Sequence, residues 1–143
     1  MIEIELARRL KRAGLGWRPA ERDCFAIPDR GMDDQIFVVN RLTTLIQSYQ
    51  GQPTVTFHGT SEWALDDVLL AEVIWLPSES QLREAIAARI GADAPLRLDR
   101  TQRGYRCQFA IGDRLLEFDA VQAEDAYALG LLALLEADDT SYL

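Results

Sequence analysis

The stretch Ala123 to Ala137, Ala-Glu-Asp-Ala-Tyr-Ala-Leu-Gly-Leu-Leu-Ala-Leu-Leu-Glu-Ala, is the longest apolar helical pattern in the chain and limits the folds open to it. Tyr127, Leu131, Leu134 and Leu135 lie on one side of the helix axis, with Ala128, Leu129 and Leu132 beside them. A helix apolar around most of its circumference has to be mostly buried. Glu124 and Asp125 occupy the first turn, where the helix dipole favours negative charge. A glycine inside a helix costs roughly 1 kcal/mol relative to alanine, so Gly130 predicts a point where another backbone comes close.

The rest of the chain supplies what that helix must cover. Ile2, Leu6, Leu10 and Ala13 recur at helical spacing before Gly14, Gly16 and Pro19, which predicts an amphipathic helix over residues 2–13 with a basic polar face. Short runs rich in branched and aromatic residues follow and read as strands: Cys24 to Ile27, Gln35 to Val39, Leu42 to Tyr49 and Thr54 to Phe57. Pro28 to Asp34 reads as a loop, and Gln50-Gly51-Gln52-Pro53 as a turn. His58 to Asp67 has no clean period and is expected to be loop. Val68 to Leu76 suggests a short turn or helix followed by a strand from Val73.

Ser78 with Gln81 three residues later forms a capping box, which satisfies two backbone donors and opens a helix running to Ile90. Leu82, Ala85, Ile86 and Ile90 form its buried stripe, Glu79 and Arg83 are spaced to pair, and Gly91 suits a left-handed C-terminal position. A three-strand meander comes next: Leu96 to Thr101, a turn at Gln102-Arg103-Gly104, a strand placing Tyr105, Cys107, Phe109 and Ile111 on one face, and a Gly112-Asp113 hairpin into Arg114 to Phe118. The expected fold is one α+β domain spanning 1–143, mainly antiparallel, with the last helix packed on the sheet.

Composition narrows the classes of function. The chain has 143 residues, 48% hydrophobic and 27% charged, as expected of a globular protein that buries about two-thirds of its unfolded surface. A net charge of −8 disfavours a nonspecific grip on nucleic acid or anionic membrane. The charge is uneven: residues 1 to 22 carry six basic and three acidic side chains, and the remainder carries −11. No window approaches the ~18 apolar residues of a membrane span, and no signal-peptide run follows Met1, so a cytoplasmic location is expected. Cys24 and Cys107 lie far apart without metal-ligand spacing and read as small core residues.

Two loops contain residues able to do chemistry. Asp29, Asp33 and Asp34 lie close enough in sequence to hold a hard cation, although aspartates also serve turns and the later ligands of a calcium loop are missing. His58 is the one histidine, so imidazole acid-base or zinc chemistry would have to use it; it also reads as an ordinary strand-end residue. No phosphate loop, nucleophile elbow, HExxH or paired CxxC occurs, and no cofactor is expected. Of the three tryptophans, Trp75 reads as core, whereas Trp17 and Trp63 suit either an interface or a lid over the sheet.

Leu-Ala-Arg-Arg-Leu-Lys-Arg-Ala-Gly at 6–14, Pro-Asp-Arg-Gly-Met-Asp-Asp-Gln-Ile-Phe-Val-Val at 28–39, Thr-Ser-Glu-Trp-Ala-Leu-Asp at 60–66 and Val-Ile-Trp-Leu-Pro at 73–77 together resemble a family of small uncharacterised bacterial proteins. Some members of that family carry a pilus-assembly label. The segment Phe118 to Leu135 also resembles the ends of small phage and prophage proteins of unknown function. The resemblance implies a bacterial origin and supplies no catalytic residues.

Three functional expectations follow. The first is a non-enzymatic module that binds a protein partner, or a second copy through Tyr127, Leu131, Leu134 and Leu135. The second is a small metal-dependent hydrolase or phosphoryl enzyme, which requires the loops bearing Asp29, Asp33, Asp34 and His58 to converge. The third is an acidic nucleic-acid mimic, which requires a continuous acidic stripe.

Overall fold

The computed structural model describes residues 1–28, 35–40, 44–49, 52–57, 67–69 and 72–140, with backbone alone for 44–49, 52–57, 67–69 and 139–140. The described elements are helices and antiparallel strands, an α+β fold. The chain forms two compact units: Met1–Leu15 together with Pro77–Leu143, and Gly16–Leu76.

In the first unit, α1 (Ile4–Arg12), α2 (Glu79–Ile90) and α3 (Ala123–Thr140) accompany a sheet of β7 (Leu96–Thr101), β8 (Gly104–Ile111) and β9 (Arg114–Ala120), with β8 in the centre. Helix α3 lies on β8 and β9, and both α1 and α2 pack against α3. The core is built from Leu6 and Leu10 of α1, Leu82 and Ile86 of α2, Cys107 and Phe109 of β8, and the inward side of α3, all buried. Because α3 receives neighbours on several sides, its nearly all-round apolar surface is covered within one chain. Tyr127, Leu131, Leu134 and Leu135, expected to meet a second copy, are themselves buried here and need no second copy to cover them.

Local signals account for the helix ends. Ser78 Oγ accepts from Gln81 N at 3.2 Å, while Gln81 Oε1 accepts from Ser78 N at 2.9 Å, completing the capping box. Helix α1 has no side-chain cap of its own; instead Glu3 N donates to Asp125 Oδ1, 2.8 Å away in the first turn of α3. Its other end closes on Gly14 at φ +103°, with Leu15 N bonded to Leu10 O and Gly14 N to Lys11 O, a Schellman arrangement that only a residue without Cβ adopts cheaply. Gly91 departs from expectation: φ is +112° but ψ is 138°, so the chain leaves α2 extended and not in a left-handed helical turn. Gly130 departs too. What approaches it is aromatic side chain, not backbone: an added Cβ would stand 2.8 Å from Phe109 Cε1 and 3.3 Å from Phe118 Cδ2.

In the second unit, β1 (Cys24–Ala26) lies between β2 (Phe37–Val38) and β6 (Ile74–Leu76), while β4 (Gln52–Phe57) lies between β3 (Thr44–Tyr49) and β5 (Asp67–Leu69). Among the described residues, Phe25, Ala26, Ile27, Phe37, Val39, Val73, Ile74 and Leu76 are its buried apolar residues. Two sequence expectations are corrected here. The turn after β3 is shorter than Gln50 to Pro53, because Gln52 and Pro53 pair with Tyr49 and Ser48. Among the described residues the pairing of β4 with β5 starts at Thr54, and a proline near the start of a strand is tolerated. Asp67 to Leu69, expected as loop at Asp67 and as a short turn or helix from Val68, is strand: a third strand's backbone pairing outweighs the weak local pattern.

Candidate functional site

Once the Gly112-Asp113 hairpin fixes its register, the solvent face of the β7–β8–β9 sheet follows. Cys107 and Phe109 point at the helices, so Arg106, Gln108 and Ala110 point away. The register then lines up Asp99, Arg106 and Asp119 across the three strands, and Arg97, Gln108 and Glu117 in the next row. Arg106 Nε and Nη2 bind Asp119 Oδ1 and Oδ2 at 2.7 and 3.1 Å, and Nη1 lies 3.8 Å from Glu117 Oε2. Gln108 Nε2 donates to Glu117 Oε1 at 2.7 Å.

These charges are matched to one another. The hydrogen bond from Arg106 holds the Asp119 carboxyl below its ordinary range, and the same bond, with the charges of Asp119 and Glu117, raises the Arg106 guanidinium. At one end the face dips into an open depression of about 580 Å³ lined by Thr101, Gln102, Arg103, Tyr105, Arg106, Asp119, Ala120 and Val121. An anion entering it would meet an Arg106 already neutralised by two carboxylates. The alternation of acid with arginine and glutamine also means that this face carries no continuous acidic stripe.

The character of the face changes toward the hairpin. Beyond the Gln108–Glu117 row come Ala110 opposite Leu115 and then Ile111 opposite Arg114. Ile111 is 44% and Leu115 63% exposed, high values for large apolar side chains. Ile111 was expected to join Cys107 and Phe109 on the covered face; it keeps their side of the strand but lies at the solvent-exposed end of the hairpin.

Trp17 belongs to an aromatic group in the second unit. Its ring lies parallel to Trp75 at 6.1 Å between centroids and tilted against Phe25 at 5.8 Å, and Phe25 stacks on Phe37 at 5.5 Å. The buried Asp23 carboxylate fixes it: Oδ2 accepts from Trp17 Nε1 at 2.9 Å and from Ala20 N at 3.0 Å. Trp17 is half-buried, and so is Trp75, expected as core, although the Trp75 indole nitrogen is fully buried with no hydrogen-bond partner among the described residues.

Asp29, Asp33, Asp34, His58 and Trp63, the remaining residues singled out in the sequence, lie outside the described residues. Among the described residues no three His, Cys, Asp or Glu side chains cluster as metal ligands, and no helix is long and apolar enough to cross a membrane. Both cysteines are free thiols; burial pushes Cys107 up to about 12, which suppresses its thiolate. Tyr127 is also raised by burial, with the Arg83 guanidinium pulling it back down.

No sequence motif names the Arg106–Asp119 and Gln108–Glu117 pairs. Their signal is the hairpin turn itself, which puts those residues opposite one another by counting outward from Gly112-Asp113.

The class defined by these features is an α+β protein with a helix-backed antiparallel sheet whose solvent face grades from paired charges to apolar side chains. Comparison with protein-family models, with curated proteins and with solved structures gives no match.

Proposed function

We propose that the protein is a non-enzymatic interaction module that binds another protein through the end of its β8–β9 hairpin. The exposure of Leu115, on the solvent face beside Ala110, carries this reading; Ile111 is exposed at the same hairpin end on the opposite face of the sheet. Folding leaves both side chains in water, and covering apolar surface of this kind contributes about 25 cal/mol per Å² to association. The hydrogen-bonded hairpin presents them at little cost in ordering, and on the face of Leu115 the polar rows behind it suit the rim of an interface.

Capture from an extract of the source cells tests it, with wild type and the Leu115→Lys and Ile111→Lys variants as baits. A protein held by wild type and released by either substitution supports the hairpin; equal capture by all three overturns it. A parallel melt against divalent metals, nucleotides and small metabolites tests the enzymatic alternative, since a ligand that binds only the folded state raises the midpoint. A shift lost on Asp33→Ala or His58→Ala would replace the interaction reading with the metal-dependent hydrolase or phosphoryl enzyme.

A further inference from the structure

We propose that β7 pairs with β7 of a second copy, antiparallel about a two-fold axis at Leu98, joining two three-stranded sheets into one of six. This does not rest on the hairpin reading, because it uses the opposite edge of the sheet. Among the described residues strand β7 pairs only with β8, and no backbone hydrogen bond from its other edge reaches any of them. An edge of this kind is a template for another strand unless its side chains forbid it.

Here the side chains favour one register. The sequence Leu96-Arg97-Leu98-Asp99-Arg100 is charge-complementary to itself when reversed about Leu98. Arg97 then stands opposite Asp99 of the second copy, and Asp99 opposite its Arg97. Both lie on the solvent face, 70% and 41% exposed, and within the chain Arg97 Nη2 already reaches Asp99 Oδ1 at 3.2 Å. Residues directly opposite across an antiparallel pair have Cβ atoms about 4.5–5.5 Å apart, the arrangement in which opposite charges stabilise a sheet. On the helix side, Leu98 meets Leu98 and each Leu96 meets Arg100. Leu96 and Leu98 are only half-buried in the single chain, and α3 lies on β8 and β9, so the pairing covers apolar surface.

At the other edge, the register centred on the strand is disfavoured. A two-fold axis at Glu117, the middle residue of β9, would set Glu117 against Glu117, and like charges directly opposite are destabilising.

Sedimentation velocity across a concentration series reads the association directly. Wild type is expected to shift toward twice the mass of the chain as concentration rises. Arg97→Asp and Asp99→Arg, measured separately, each replace two attractive pairs by two repulsive ones and should weaken self-association by about tenfold or more. Mixed in equal amounts, the two variants should associate again: the substituted positions then face each other with opposite charge, and so do the native ones. Melting curves confirm that each variant is folded, and amide exchange in β7 that slows with concentration locates the contact. Leu115→Lys should leave the association unchanged, which separates this result from the hairpin experiment. A wild type that stays monomeric throughout, single variants that associate as well as wild type, or a mixture that fails to recover overturns the proposal.

Discussion

The Asp23 carboxylate is buried and accepts hydrogen bonds from the Trp17 indole at 2.9 Å and from Ala20 N at 3.0 Å through the same oxygen. It ties the chain entering the second unit to the aromatic group. Replacing it with alanine leaves both donors without this acceptor, so Asp23→Ala should cost about 1–3 kcal/mol in denaturant unfolding. Asp23→Asn keeps an acceptor oxygen and should recover much of that loss. Native tryptophan emission should shift to the red in the alanine variant as Trp17 loosens from Trp75.

Gly130 opposes two effects of similar size. Alanine would gain roughly 1 kcal/mol of helix propensity. Its Cβ would also stand 2.8 Å from the ring of Phe109, which is fully buried and stacked on Phe118 at 5.6 Å between centroids. Overpacking of this kind typically costs about 1–3 kcal/mol. With no free ring to move aside, Gly130→Ala should lower the melting midpoint in spite of its better propensity.

Because Asp119 is held below its ordinary carboxyl value of 3.8 in the folded chain, its contribution to stability is present above that value and lost as pH falls through the lower folded one. Both partners are exposed, so the effect on overall stability is small and is best read locally. In an NMR titration, Arg106→Gln should move the Asp119 carboxyl up toward 3.8. An unchanged titration would show that Arg106 is not what holds it down.

Cys107 behaves in the opposite sense. Burial raises it from 9.0 to about 12, so the stability that depends on its protonated thiol is full below pH 9.0 and lost as pH climbs through about 12. Near neutral pH the native thiol should resist alkylation and react only on unfolding. Mass spectrometry after a short iodoacetamide pulse, with and without denaturant, checks this residue by residue, and labelling of Cys107 in the native chain would contradict its burial.

Where local chemistry decides an element, the amino-acid sequence already shows it. Ser78 and Gln81 announce the start of α2, and Gly112-Asp113 sets a hairpin from which the partners of Arg106 and Gln108 follow by counting. Asp67 to Leu69 was illegible because its pairing with β4 is a long-range matter that leaves little mark on three residues. Gly130 was half legible: its cost revealed a close neighbour, but which atoms approach depends on where β8 and β9 put their phenylalanines. The apolar surface of α3 was legible as one that must be buried, but not the elements that bury it: α1, α2 and the sheet cover Tyr127, Leu131, Leu134 and Leu135 from within. Ile111 carries no motif, since only the extent of the helical cover determines that it is left in water, whereas Leu115 is placed on the solvent face by its register with Ala110.

The bond from Glu3 to Asp125 spans 122 positions, and α1 packs on α3 across the whole intervening second unit. During synthesis, α1 therefore lacks the cover that α3 gives its Leu6 and Leu10 face until α3 too has been made, while Gly16–Leu76 emerges as one continuous segment in between. The first unit closes through contacts of high separation along the chain, which form late because the loop between them has to be closed first.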